Sequence, residues 1–428
     1  MKTDAISIFN AAVNAVQPAT LIKRCIQHDA DKITICGTSF PRSADRPIWI
    51  FGAGKAAAAM AQAVEAILAD CQLQGLVITK YGHELPLQHI NIATAGHPIP
   101  DANGVAATQR MIEMITGVQA DDIVLFLLSG GTSALLADHP SGTTLQEVQT
   151  VFDLLLKSGA DIHEMNTVRK HLSGVKGGQL ALLTNTPALC TLVLSDVVGD
   201  DLHVIGSGPT VPDPSTFADA MAVVEKYQLT DLLPLSIYLH LERGCAGSIA
   251  ETPKPGHPRF AHTYTFLAGT NQIALEAAAN TASQMGYDTH ILTSTLTGDA
   301  TTIARSLVEK AKNWKGKRPA CLLAGGESTV TVTGRGLGGR NQQLALAAGI
   351  ALNGQEGITF LSAGTDGTDG PTDAAGAITD AAIMQSGNNA QKHLEEQDAY
   401  PFFQKAGGLL ITGPTQTNVM DIIIILLV

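Results

Sequence analysis

Five times along this chain, a glycine-rich turn lies among apolar runs of strand length. The turns are Gly52-Ala-Gly-Lys55, Ser129-Gly-Gly-Thr132, Gly325-Gly-Glu327, Gly334-Arg-Gly-Leu-Gly-Gly-Arg340 and Gly364-Thr-Asp-Gly-Thr-Asp-Gly-Pro371. Helical patterns alternate with the apolar runs. A strand without a polar face must be covered on both sides, and connecting helices provide that cover in a parallel sheet. Ligands of such sheets bind beyond the carboxyl ends of the strands. Glycine there lets backbone amides approach a phosphate or a carboxylate. One repeated feature therefore predicts an α/β fold and the place of its site.

The first strand series covers residues 48–52, 75–80, 91–95, 123–128 and 189–194, with helices at 55–71, 103–117, 145–159 and 166–184. The opening 30 residues read as a helix interrupted by Pro18, and residues 37–47 read as a polar stretch. A second series has strands at 265–269, 289–293, 320–326, 328–334, 358–364 and 421–428. Its helices fall at 271–286, 299–313, 340–353 and 374–386. Between the series, 246–262 is rich in Pro and Gly and reads as a linker or crossover. The prediction is two α/β domains, each a largely parallel or mixed sheet flanked by helices. They span 1–245, which is Rossmann-like, and 263–428.

Composition narrows the function classes. Lys plus Arg number 27 against 39 Asp plus Glu, and a net charge of −12 argues against nucleic-acid binding. A few local cations suffice for a small anion. The longest strongly apolar run, at 422–428, is too short for a membrane span and reads as a buried final strand. The N-terminus shows no signal-peptide pattern, and the six cysteines show no C-x-x-C spacing. The expectation is reduced, buried thiols in a cytoplasmic protein that acts on small molecules and could form a homo-oligomer.

Several side chains at strand ends carry possible chemistry. Lys55 opens a helix, where lysine and helix terminus would together attract an anion. Gly52, Gly54 and Ala57 match G-x-G-x-x-A, and Gly334, Gly336 and Gly339 match G-x-G-x-x-G. Neither is followed by a convincing acidic ribose partner, and the strand after the first ends in Lys80. Arg335 and Arg340 frame the second loop, which suits phosphate. Asp196, Asp366, Asp369 and Asp373 could hold Mg²⁺, orient a hydroxyl or take its proton; capping helices and turns is the plainer role, preferred for Asp369 and Asp373. Arg169 and Lys170 could meet an anionic substrate, and His171 could carry a proton. His97 lies in a loop made rigid by prolines. These residues leave open a phosphotransferase, an NAD(P)H-dependent hydroxypyruvate reductase using His97 as acid, and a non-catalytic binder of small acids or sugars.

The joint occurrence of IWIFGAGKAA, TAGHPIPD, LLSGGTSALL, MNTVRKHLSGVKGGQLA, LVLSDVVGDDLHVIGSGPT, AGGESTVTVTGRGLGGRNQQ and LSAGTDGTDGPTDAAGA resembles the class II glycerate 2-kinases. These join a glycerate-kinase domain to a C-terminal MOFRL domain, and relatives carry the label hydroxypyruvate reductase. The resemblance covers nearly the whole chain. It implies ATP-dependent phosphorylation of D-glycerate at its 2-hydroxyl, in a cleft between two α/β domains. It also implies that the family's important lysine and arginine fall on Lys55 and Arg340. On this reading Gly52, Gly54, Ser129, Gly130, Gly131, Arg169 and Asn341 bind substrate or phosphate. Asp196 serves the 2-hydroxyl, and Glu327 and Asp366 hold Mg²⁺.

Overall fold

The structure, a computed structural model, describes residues 1–43 and 45–428. It divides into two compact units, neither continuous in sequence. Ile22–Leu194 and Asp201–Ala268 form the first, and Met1–Leu21, Ser195–Asp200 and Gly269–Val428 form the second. Five helices recur below: α1 (Lys2–Ala15), α2 (Ala57–Ile67), α3 (Ile162–His171), α4 (Asn271–Gln284) and α5 (Arg340–Leu352).

The first unit is built on strands β1 (Ile48–Ala53), β2 (Leu73–Lys80), β3 (Asn91–Ala95), β4 (Ile123–Leu128), β5 (Leu189–Leu194) and β6 (Thr263–Gly269). Their order is β3-β2-β1-β4-β5-β6. β1 pairs in parallel with β2 on one side and β4 on the other, and β2–β3 and β4–β5 are also parallel. β4 and β5 are buried along their whole length, as their unbroken apolar sequences require. A ring such as Phe126, with no exposed surface, contributes about 2–3 kcal/mol through burial. The strand order reverses between β1 and β4, which is where a doubly wound sheet opens a crevice beyond its strand ends.

Small residues set the spacing at that crevice. A Cβ on Gly52 would lie 2.6 Å from the Leu127 carbonyl oxygen of the neighbouring strand. α2 buries Ala57, Ala58 and Ala61. Behind the sheet a separate apolar cluster, including Val148, Val151, Leu155, Val168 and Phe217, holds α3 in place. Asp161 and Glu164 form a capping box at the start of α3. Ahead of β1, Ile26–His28, Lys32–Ile35 and Thr38–Pro41 make a small antiparallel sheet.

The second unit carries a mixed sheet of β7 (Asp288–Asp299), β8 (Ala320–Thr329), β9 (Ile358–Gly364), β10 (Gly376–Thr379), β11 (Leu409–Leu410) and β12 (Asp421–Leu427). The order is β7-β8-β12-β9-β10-β11. Only β7 and β8 pair in parallel. The predicted final strand is the antiparallel partner of both β8 and β9, and every residue of it is buried. α1 packs on α4 through a face that includes Ala5, Ile8, Phe9, Ala12 and Val13. Tyr287 Oη donates to Asp4 Oδ2 at 2.7 Å.

The predicted boundaries need correction. Residues 265–269, read as the opening strand of the second domain, fall in β6, which closes the first unit's sheet. The predicted linker is laced into the first unit. Thr252 Oγ1 donates to Asp213 at 2.9 Å, and Arg259 donates to the carbonyls of Ala181 and Thr186. Residues 1–21 leave the predicted first domain for the second unit.

At element level, the opening segment contains two helices, Lys2–Ala15 and Pro18–Cys25. The period-two stretch 328–334 is strand only to Thr329. Beyond it Gln397 captures the chain by donating to Thr331 O and accepting from Thr333 N, which replaces a ladder. The helix predicted at 374–386 is β10 followed by Ala381–Ser386, and the one at 166–184 is α3 plus a short Gln179–Leu182 turn. All six cysteines are free thiols, but Cys245 is exposed and Cys36 half-buried. No single helix is long and apolar enough to cross a membrane among the described residues.

Candidate active site

The loops after β1 and β4 are bonded into one another at the crevice of the first unit. Lys55 N donates to Gly130 O at 2.9 Å, and Ala56 N to Ser129 Oγ at 3.1 Å. Ser129 N returns a bond to Ala53 O, and Thr132 Oγ1 donates to both Ala53 O and Ser129 O. Gly54 takes a φ of 134°, and a Cβ there would stand 2.1 Å from Ser129 Oγ. Gly52 and Gly54 are thus spacing residues. They do not form an amide cradle, since Gly54 N is spent on Ile78 O. The cradle lies one loop over. Gly131, with φ at 85°, turns the chain so that the N–H groups of Gly130, Gly131, Thr132 and Ser133 take no backbone acceptor among the described residues.

The side chains around this loop are cationic. Lys55 is half-buried, and its carbonyl accepts from Thr79 Oγ1 and lies 3.3 Å from His83 Nδ1. His97 lies flush against Gly131, whose added Cβ would meet its ring at 2.8 Å and Lys55 Cγ at 3.4 Å. Burial, followed by the charges of Lys55 and Lys80, pulls the His97 pKa down to about 4. Burial and the same two lysines lower His83 as well, against its bond to Lys55 O. Both imidazoles are shifted down first by burial and then in the same sense by Lys55 and Lys80, which together make this a region of positive potential.

Arg169, on α3, joins the same loop through a polar relay. Its Nη1 donates to Asn166 Oδ1 at 3.3 Å, which also accepts from Ser207 Oγ at 2.6 Å; Ser207 Oγ is 2.9 Å from Ser133 Oγ. The guanidinium rests 4.7 Å above the Phe152 ring and pairs with no carboxylate among the described residues. Desolvation brings its pKa down to about 10. Its neighbours in sequence are committed elsewhere. Lys170 forms a buried ion pair with Asp213 at 3.2 Å, and buried His171 is held between Thr167 O and Glu251.

The second unit holds a contrasting cluster. Arg340, the first residue of α5, reaches Asp421 through Nε at 2.7 Å and Nη2 at 2.9 Å, and Glu327 through Nη1 at 3.0 Å. Asp421 and Glu327 hold its pKa above the ordinary arginine value, against its partial burial. Asn341 Nδ2 donates to Asp421 at 2.8 Å, and its Oδ1 accepts from Ser362. Asp369 caps α5 by accepting from Asn341 N and Gln342 N. Burial pushes Asp369 up to about 6 despite those bonds. Asp373 accepts from Tyr400, so it too has a structural bond. Asp366 holds its own turn through Thr368 N. Gly334 and Gly336 pack on Glu396 and Asp398, and the N–H groups of Gly334, Gly336 and Leu337 are spent on Gln397, Glu396 and Asp398. That spends the G-x-G-x-x-G loop on its own chain.

The geometry therefore gathers Lys55, Ser129, Gly130 and Gly131 in the first unit and links Arg169 to them. Arg340, Asn341 and Glu327 meet in the second, where Asp366 lies near Gly364. Asp196 is half-buried just beyond β5, in the segment Ser195–Asp200 that belongs to the second unit. No trio including Glu327 and Asp366 has ligand spacing; among the described residues that arrangement occurs at His28, Asp70 and Cys71. Sequence reading missed His83, Lys80, Asn166 and Ser207 as site residues, and Asp421. The last had a signal, since it is a single carboxylate opening an otherwise apolar run.

Two family models match the chain. One, described as a domain of unknown function, DUF4147, covers residues 4–242, and the MOFRL family model covers 320–421. The chain is 40% identical to a glycerate 2-kinase of Pyrococcus horikoshii, over 98% of this chain and 96% of the relative. It is 42% identical to a D-glycerate 2-kinase of Thermotoga maritima, over 100% of this chain and 99% of that one. A crystal structure of a glycerate kinase from Thermotoga maritima superposes with a TM-score of 0.87 at 41% identity, covering 100% of this chain and 99% of its own.

Proposed function

This chain belongs to the family that joins a DUF4147 domain to a MOFRL domain and includes glycerate 2-kinases, and from that premise we propose that it is a glycerate 2-kinase. It moves the γ-phosphoryl group of ATP to the 2-hydroxyl of D-glycerate, giving 2-phosphoglycerate and ADP. The observation that supports this reading is the crevice at the strand-order reversal, where Lys55 and Lys80 lie beside the amides of the Gly130–Gly131 loop and lower the pKa of His97. Phosphoryl transfer needs positioning and fixed positive charge more than covalent help from the protein.

On this reading the amides of Gly130 and Gly131 and the side chains of Lys55 and Arg169 receive anionic groups of the substrates. Arg340 and Asn341, in the second unit, are the groups there suited to bind a phosphoryl oxygen. Asp421 grips Arg340 by two bonds with a side chain only 4% exposed, whereas Glu327 is 44% exposed and holds one nitrogen. A phosphoryl oxygen would thus compete with Glu327. Asp196 orients the 2-hydroxyl or takes its proton. Glu327 and Asp366 are hard oxygen donors suited to Mg²⁺, which commonly uses one or two carboxylates with water and substrate phosphates. When bound, the ion would offset charge on the phosphates.

The reductase alternative finds less support. The amides after Gly54 that would meet a pyrophosphate are already bonded to Gly130 O and Ser129 Oγ, and β2 ends in Lys80. Incubation with D-glycerate, ATP and Mg²⁺, in parallel with hydroxypyruvate and NAD(P)H, separates the readings. ADP with 2-phosphoglycerate is the expected product pair. Nicotinamide oxidation without ADP would overturn the kinase, and neither reaction would leave a binder.

A further inference from the structure

The small antiparallel sheet ahead of β1 sets two cysteines opposite each other. Ile26 pairs with Ile35, Gln27 with Thr34 and His28 with Ile33, so Cys25 and Cys36 are the next pair across. Cys36 N donates to Cys25 O at 2.7 Å, as in a hydrogen-bonded antiparallel pair. Such pairs hold their Cα atoms roughly 5.5 Å apart, within the span a disulfide bridges. Each thiol shifts the titration of the other.

Cys36 also occupies an unusual backbone position. With Gly37 it makes the two-residue turn between Lys32–Ile35 and Thr38–Pro41, and both take positive φ, 46° and 84°. Asn-Gly is the favoured pair for a turn of this type. A cysteine there bears a backbone cost that packing does not explain, since its side chain is half-buried. The cost is explained if the sulfur has a use.

We propose that Cys25 and Cys36 form a redox-active dithiol that low-molecular-weight disulfides of the glutathione class convert to an intramolecular disulfide. The Cys25 sulfur, as thiolate, attacks one sulfur of the incoming disulfide, and the expelled thiolate takes up a proton. The Cys36 sulfur then gives up its proton and attacks Cys25 Sγ, expelling the second thiolate, which is protonated in turn. Two protein thiols are oxidised to one disulfide, and the small disulfide is reduced to two thiols.

The surroundings favour that order. Cys36 and the guanidinium of Arg24 bring the Cys25 pKa down to about 7 against burial, which supplies thiolate near neutral pH. The same thiol pairing and burial push Cys36 up, with Cys190 adding to the effect. Arg24 also donates to Ala268 O at 2.6 Å. The dithiol therefore neighbours two of the four points where the chain passes from one unit to the other, Leu21–Ile22 and Ala268–Gly269. It takes no part in the phosphotransferase reading.

The test exposes the full-length protein to a series of glutathione buffers, reduced to oxidised, followed by acid quench, alkylation and peptide mapping. The expected result is a Cys25–Cys36 linkage formed before any other and reversed by dithiothreitol. Cys36→Asn, which suits the turn, should remain folded and leave Cys25 as a glutathione adduct. The proposal fails if both cysteines stay alkylatable at the oxidising end while exposed Cys245 takes glutathione, or if Cys36 pairs with Cys190.

Discussion

Lys55 and Arg340 are both cations beside a helix start, yet their surroundings give opposite expectations. The Lys55 side chain is half-buried at the loop surface, so Lys55→Ala should leave the fold intact while lowering kcat by about 100-fold or more. Circular dichroism with coupled ADP release tests both halves of that statement. Arg340 is the sole cation on the buried carboxylate of Asp421 among the ion pairs described. Arg340→Ala should therefore lose activity and roughly 3 kcal/mol of stability in urea unfolding. Arg340→Lys should recover part of the stability without the two-bond grip. His97 carries a pH dependence. Its folded pKa, about 4, lies below the ordinary 6.5, so its contribution to stability is full above pH 6.5 and is lost as pH falls toward 4. His97→Asn should flatten the stability curve between those values, and an imidazole titration by NMR reads the pKa directly. The important residues that escaped the sequence, His83, Asn166 and Ser207, act through partners far along the chain. A partner 41 residues away, as Ser207 is from Asn166, leaves no local spacing to read.

Among the elements, those buried on both faces were legible. β1, β4, β5 and β12 are runs whose burial leaves few alternatives to a covered strand. The short β10 and the loop after Thr329 were not, because a side chain from elsewhere or a neighbouring strand decides them. Four of the five glycine turns fall at or after strand ends, whereas Gly325-Gly-Glu327 lies inside β8 with ladder partners on β7 and β12; what each glycine does depends on what stands opposite. Gly54 faces Ser129 Oγ, and Gly339 faces Asp369, where an added Cβ would lie 2.2 Å from the carboxyl carbon. Gly54→Ala adds both that collision and an unfavourable φ, and should cost roughly 2–3 kcal/mol. Because it parts the loops that hold Lys55, activity should fall with it. Thermal unfolding and kcat measured on the same preparation check the pair; an unchanged Tm would mean that the loop yields without strain.

For the whole molecule, an acidic composition did not exclude local clusters of cations. A net charge of −12 says nothing about a crevice in which burial and two lysines lower the pKa of both His83 and His97. The number of units was also legible, whereas their membership was not. A boundary drawn through a Pro- and Gly-rich segment assumes that compact units follow chain order, and residues 1–21 and 195–200 do not. Deleting residues 1–21 should therefore weaken the second unit. Hydrogen exchange is expected to rise along α4, which loses its cover from α1, while β1, β4 and β5 keep their protection. Equal loss of protection in both sheets would contradict that division.

The pairing of α1 with α4 also has a consequence for synthesis. The earlier of the two helices must wait for a partner encoded about 250 residues later, which at ordinary elongation rates is roughly 12–50 s. Throughout that interval its apolar stripe, Ala5, Ile8, Phe9, Ala12 and Val13, has no native surface to cover it. The nascent chain thus carries an exposed hydrophobic segment past the completed translation of the first sheet, a natural handle for a chaperone.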